Sequence, residues 1–223
     1  IWVGPKSALA SVMRQFRTWD SKVVPDFFTY QGLVKYLQTW PEKRAVPRGI
    51  VFDESHNLVN PQAQRTKAAQ HICDEMRATY GDSFGNPDGP IIIAMTGTPQ
   101  PKAPENWWQP CELTLPGFVA EGSYNKFKYV VGEYEDDPSG YKKLVAYDKE
   151  AVERLSKRLR GLVTVVLKHE CLDLPEKVYV QHVCSVSTRY KNLSKGIAAA
   201  AKTKASALVL LRELSDGFQY KEV

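Results

Sequence analysis

The residue order predicts an α/β fold, a largely parallel sheet shielded by its own crossover helices, and three observations carry that expectation. Two short runs, residues 50–52 and 91–95, are continuously apolar instead of alternating, as in strands covered on both faces. Segments with apolar residues at helical spacing separate these from two further β-rich runs, IWVGP at 1–5 and DFFTY at 26–30. Each of the four runs ends in polar or special residues, and open α/β sheets bind ligands outside the carboxyl ends of their strands.

In chain order, IWVGP reads as the end of a first strand; because the chain opens on Ile1 and not Met, we expect residues to have preceded it. SALASVMRQFRTW sets Leu9, Val12, Met13 and Phe16 at helical spacing, with Ser7 as cap. DFFTY gives a second strand and QGLVKYLQTW a second helix, then GIVFDE (49–54) a third strand. PQAQRTKAAQHICDEMRATY predicts a helix with Pro61 in its first turn, and GDSFGNPDGP (81–90) a turn-rich loop before the fourth strand, IIIAMTG (91–97). Residues 101–147 are rich in Pro, Gly and aromatics and predict an irregular excursion with short helices. DKEAVERLSKRLRGL (148–162) is an amphipathic helix, VTVVL and LPEKVYVQHVCSV are strand-like, and residues 187–214 form a helix or helix pair. Leu174-Pro175 is the boundary candidate.

The 223 residues suffice for one good core plus part of a second, and 43% hydrophobic content excludes wholesale disorder. No apolar run approaches the roughly 18 residues of a membrane span, and the N-terminus lacks signal-peptide order, so the protein is expected inside the cell and unsecreted. Cys73, Cys111, Cys171 and Cys184 form no CxxC pair and fit a reducing compartment. Thirty Lys and Arg against 25 Asp and Glu leave +5, compatible with a polyanionic partner without requiring one.

VFDESHN (51–57) holds the most specific chemistry. Ionised side chains at a strand end cost free energy unless paired, and Mg2+ carrying nucleotide phosphates is one such partner, needing only one or two protein carboxylates. Asp53 would hold the ion through water and Glu54 would orient or deprotonate an attacking water. Alone, such a pair also serves as a helix cap or surface acid, and TGTP (96–99) alone is a turn.

The two in order carry more. WVGPKSALASVMRQFRTW, FFTYQGLVKYL, IVFDESHNLVNPQAQRTKAAQ, AMTGTPQPKAPENWW and LRGLVTVVLKHECLDLPEKVY together resemble motifs Ia, II and III, their connecting strand and the inter-lobe Leu-Pro-x-Lys segment of Swi/Snf-like superfamily-two helicases and DNA translocases. That resemblance implies a RecA-like sheet flanked by helices, an incomplete ATPase lobe over 1–173, and a linker with the start of a second lobe over 174–223. It implies ATP and Mg2+ as cofactors and duplex DNA, met through its backbone, as partner. By the same resemblance Asp53 and Glu54 are the metal-binding and water-activating acids, and His56 links them to motif III. Thr96, Gly97 and Thr98 couple nucleotide state to DNA, while Lys6, Ser7, Thr29 and Tyr30 lie toward the DNA backbone. Ser55 stands where many relatives have Ala.

No G-x-x-x-x-G-K-[ST] phosphate cradle occurs in the 223 residues, and motifs V and VI with their arginine finger are also missing, so the chain alone is expected to hydrolyse little ATP. Two rival readings remain: a non-catalytic nucleic-acid-binding or scaffolding module built on the same lobe, and a metal-dependent nuclease using the paired acids. Weaker signals are the H-x-C pairs at 169–171 and 182–184, the Trp107–Trp108 pair as a base-stacking platform or an internal anchor, and the basic cluster SKRLRG (156–161).

Overall fold

A computed structural model describes residues 1–38, 45–98, 103–138, 140–171, 173, 175, 178–182 and 185–216. Strands β1 (Trp2–Gly4), β2 (Phe27–Thr29), β3 (Gly49–Asp53) and β4 (Ile91–Met95) form a parallel sheet in the order β2-β1-β3-β4. The connections are α1 (Lys6–Thr18), α2 (Tyr30–Gln38) and α3 (Gln64–Tyr80). The chain steps outward from β1 to β2, then crosses back to β3 on the other side of β1. The carboxyl ends of β1 and β3 therefore flank a topological switch point, the crevice where sheets of this kind bind ligands.

Register explains which side chains form the core. Trp2 stands opposite Phe27 and Val51, and Val3 opposite Phe28 and Phe52, so alternate residues share a face. On one face Val3, Ile50 and Phe52 are fully buried beneath Leu33 of α2 and Ile72, Cys73 and Met76 of α3. Each such side chain contributes about 1.5–3 kcal/mol by leaving water. On the other face α1 lays Phe16 edge-on against Trp2 and Phe27, with both ring centroids at 5.8 Å.

That second face corrects the expectation for 91–95. β4 is an edge strand beyond the reach of α1, and Ile91, Ile93 and Met95 are 63%, 43% and 37% exposed. Only Ile92 and Ala94 turn toward the covered side. Pro61 is likewise displaced from its expected place: it sits in a turn held by Asn60, and the helix begins at Gln64.

The 101–147 excursion is more ordered than expected. After α4 (Trp108–Thr114) and α5 (Tyr124–Val131), strands β5 (Gly132–Asp136) and β6 (Lys142–Tyr147) pair as an antiparallel hairpin, its turn using Gly140 at φ 82°. α6 (Lys149–Leu159), capped by Asp148, completes a second core of Trp108, Cys111, Phe127, Val131, Leu155 and Leu159. Trp108 is 8% exposed against Phe127, an internal anchor with no face left for bases.

The chain divides into compact units 1–165 and 166–223. Within the second, α7 (Lys168–Cys171) precedes α8 (Thr188–Ala200) and α9 (Lys204–Ser215), a helix pair capped by Ser187 and Thr203. The strand-like runs at 163–167 and 178–180 are not strands, and Val165, Val166, Val178 and Tyr179 are 67–86% exposed; β propensity depends on context and does not by itself make a strand. Leu174 of the boundary pair, Cys184 of the second H-x-C pair and Pro99 of TGTP lie outside the described residues. Among the described residues, no helix is long and apolar enough to cross a membrane.

Candidate functional site

Asp53 ends β3 on the same face as Gly4, which ends β1 directly beside it. A methyl group at Gly4 would stand 3.2 Å from Asp53 Cβ and 3.5 Å from its Oδ2, so the absent side chain makes room around the carboxylate. Among the described residues, no cation and no hydrogen-bond donor engages that carboxylate. A hard-oxygen ligand with space beside it fits a hydrated Mg2+, which keeps several waters and takes few protein ligands.

Glu54 then leaves the strand in the left-handed region, φ 53° and ψ 49°, where residues other than glycine are uncommon. A short 3-10 turn, Ser55–Leu58, follows. Ser55 is 2% exposed, which accounts for a small residue there. The turn brings His56 back toward Glu54 and toward the end of β4. Glu54 Oε2 lies 3.2 Å from His56 Nδ1, and His56 Nδ1 lies 3.1 Å from Thr96 Oγ1 and 3.4 Å from Thr98 Oγ1.

These distances determine who donates. An ionised carboxylate accepts only, so Nδ1 facing it carries the proton. The Thr96 hydroxyl donates to Glu54 Oε2 at 3.4 Å and accepts from the Thr98 N–H at 3.0 Å and from His56. One donor and two acceptor positions of the hydroxyl are thereby used. The acids of β3 and the threonine turn of β4 form one network across two neighbouring strand ends. It is half-exposed, with side-chain exposures of 42% for Glu54 and 33% for His56, so the Glu54–His56 contact by itself contributes little stability. At Gly97, between the two threonines, a methyl would meet nothing within 4 Å.

The remaining four predicted residues separate into two kinds. Lys6 and Ser7 are exposed in the first turn of α1, on the rim beside Gly4. Thr29 is turned to its own chain, its Oγ1 accepting the Gly32 N–H at 2.9 Å at the start of α2. Tyr30 corrects the expectation of an outward-facing rim residue: it is 5% exposed, and its hydroxyl donates to the Asp53 carbonyl at 2.6 Å. Burial, with the charges of Asp53 and Glu54, pushes its ionisation well above the ordinary tyrosine value, so the hydroxyl remains a donor.

Sequence reasoning passed over Gly4, Asn57 and Arg65. Asn57 binds the Glu54 carbonyl twice, through its backbone N–H at 3.0 Å and its side-chain amide at 2.9 Å. Arg65 donates from Nε to the Asn57 carbonyl at 2.6 Å. A glycine closing a strand and an Asn three residues beyond an acid were the available signals. In the basic cluster, Arg158 is engaged inside the fold, with Glu121 at 3.0 Å and with the Val119 carbonyl. Two clefts of about 400 and 430 Å³ flank Pro61 and include neither acid. No group of three His, Cys, Asp or Glu side chains converges among the described residues.

No protein-family profile matches the sequence, and no curated protein matches it. Among solved structures the chain is similar to the SWI2/SNF2 ATPase core of Sulfolobus solfataricus in complex with dsDNA, at 21% identity and TM-score 0.53. The likeness covers 99% of this chain and 49% of that one, so the chain spans about half the length of its structural neighbour. With the parallel sheet and its flanking helices, this gives the fold as a RecA-like lobe.

Proposed function

We propose that this chain is the part of a Swi/Snf-like, DNA-dependent ATPase lobe that activates water and senses nucleotide state. Asp53 would hold Mg2+, and Glu54 orients and deprotonates the attacking water. The ion, when bound, supplies charge neutralisation for the transferring phosphoryl group. His56 and Thr96 pass the state of Glu54 to the β4 turn, while Lys6 and Ser7 present the rim of α1 to the backbone of duplex DNA. Contact with phosphates and not with base edges suits a motor that must tolerate any sequence. Residues 1–173 act as the lobe, and 174–223 lead into a second one.

The observation that carries this reading is the Glu54–His56–Thr96 network joining two strand ends at the rim of the sheet. The chain contains no phosphate cradle, so the 223 residues alone should hydrolyse ATP negligibly. The test is Mg2+-dependent ATP turnover by the complete gene product, with and without duplex DNA, for the wild type and Glu54→Gln. DNA-stimulated turnover that falls by about a hundredfold or more in the variant supports the proposal. DNA binding without turnover would favour the scaffolding module. Plasmid cleavage with Mg2+ and no ATP would favour the nuclease.

A further inference from the structure

We propose that Tyr30 and Asn57 are positioning residues that together impose the left-handed turn at Glu54 and so aim its carboxylate at His56 and Thr96. This rests on the role assigned to Glu54 above, but the clamp itself is read from backbone geometry.

A residue with a side chain does not adopt φ 53° and ψ 49° unaided, so the surroundings must enforce it. The peptide group is planar, and the orientation of Glu54 is therefore set by the two planes that meet at its Cα. Each plane is tied by its carbonyl. The Asp53 carbonyl accepts the Tyr30 hydroxyl at 2.6 Å, from a ring that is 5% exposed and locked in the core with Leu33 and Phe52. The Glu54 carbonyl accepts both amide groups of Asn57, at 3.0 Å and 2.9 Å. Asn57 is itself held from outside, since Arg65 Nε reaches its carbonyl at 2.6 Å. One clamp comes from α2 and the other from the turn leading to α3, and neither touches the Glu54 carboxylate. With either tie lost, φ can relax to its ordinary negative range, which swings Cβ and moves Oε2 away from its partners at 3.2 Å and 3.4 Å.

The test uses the 223-residue chain, with Tyr30→Phe and Asn57→Ala as clamp variants. Tyr80→Phe is the control, because its hydroxyl makes the same kind of bond, to the Val46 carbonyl at 2.7 Å, away from the site. The readout is the NMR contact of the Glu54 side-chain methylenes with the His56 ring and the Thr96 side chain, which a general loss of stability would not remove selectively. Tyr30→Phe should lose it, Asn57→Ala, which keeps the backbone N–H bond to the Glu54 carbonyl, should weaken it, and Tyr80→Phe should keep it. In the complete gene product, the clamp variants should lower kcat for ATP by about tenfold with KM within about twofold, and Tyr80→Phe should leave both unchanged. Retention of the Glu54 contact in both clamp variants overturns the proposal, as does an equal loss in Tyr80→Phe. Absence of turnover in the wild type would sink the ATPase reading instead, and the NMR contact would still decide the clamp.

Discussion

Gly4→Ala adds a single methyl group where β1 passes Asp53, and the structure gives its consequence in distances. The new Cβ would lie 3.2 Å from Asp53 Cβ, 3.5 Å from Oδ2 and 3.6 Å from Leu9 Cδ2. Carbon atoms rest at about 3.5–4.0 Å, so the Asp53 side chain must give by a few tenths of an ångström. Overpacking typically costs about 1–3 kcal/mol, and because Asp53 is only partly buried the low end, about 1 kcal/mol, applies here. The functional effect should exceed that. A ligand displaced by tenths of an ångström holds its metal poorly, and a full 1 Å error costs about a hundredfold, so a loss of about tenfold in Mg2+-dependent turnover is expected, with a higher Mg2+ requirement. Urea unfolding measures the first quantity and a Mg2+ titration of ATP turnover the second. Gly97→Ala is the control, since its methyl meets nothing within 4 Å. If Gly4→Ala behaves like Gly97→Ala in the Mg2+ titration, the space beside Asp53 has no bearing on metal binding.

Other consequences are open to simple measurements. Burial raises the Glu112 carboxyl above its ordinary value, against the opposing Gly117 N–H and Arg77. A group protonated more readily when folded contributes stability below its unfolded value and loses it as pH rises through the folded one. Glu112→Gln should therefore gain in urea midpoint over the wild type between about pH 3.5 and about pH 7; an unvarying difference would rule this out. The Cys73 and Cys111 thiols are pushed up to about 12 by burial, whereas Cys171 is exposed, so a maleimide at pH 8 should label Cys171 in the native chain and reach Cys73 and Cys111 only in denaturant. Arg158→Ala removes the bonds to Glu121 and Val119 and should cost about 1–3 kcal/mol in urea unfolding, while an unchanged midpoint would return Arg158 to the solvated surface.

Much of the sheet was legible because periodicity and punctuation agreed there. The runs ending at Gly4, Thr29, Asp53 and Met95 are strands ending on one rim, as their polar termini implied. The order of the acids and the threonine turn likewise anticipated neighbours, and β3 and β4 do pair in parallel. What escaped was decided by partners that local pattern cannot name. The exposure of Ile91 and Ile93 follows from β4 lying at an edge, and continuous apolarity reads the same at an edge as at a centre. The hairpin of β5 and β6 depends on register across two strands, Glu135 standing opposite Lys143, which is invisible one strand at a time. Val165 and Val178 have the right propensity for strands but are in none, because propensity alone does not supply a partner. Tyr30 looked like a rim residue because it follows β2 directly. The helical turn of α2 rotates it inward, where its hydroxyl found the Asp53 carbonyl. Asn57 acts on a backbone carbonyl, and its place three residues beyond an acid was a weak signal.

The proposed coupling requires the ends of β3 and β4 to work as a single unit that links hydrolysis to DNA. A double-mutant cycle on the DNA stimulation of ATP turnover, using His56→Ala, Thr96→Ala and the pair, tests this directly. Each single change should cut the stimulation, and the double variant should be no worse than the more damaging single one. Independent, additive losses would contradict it.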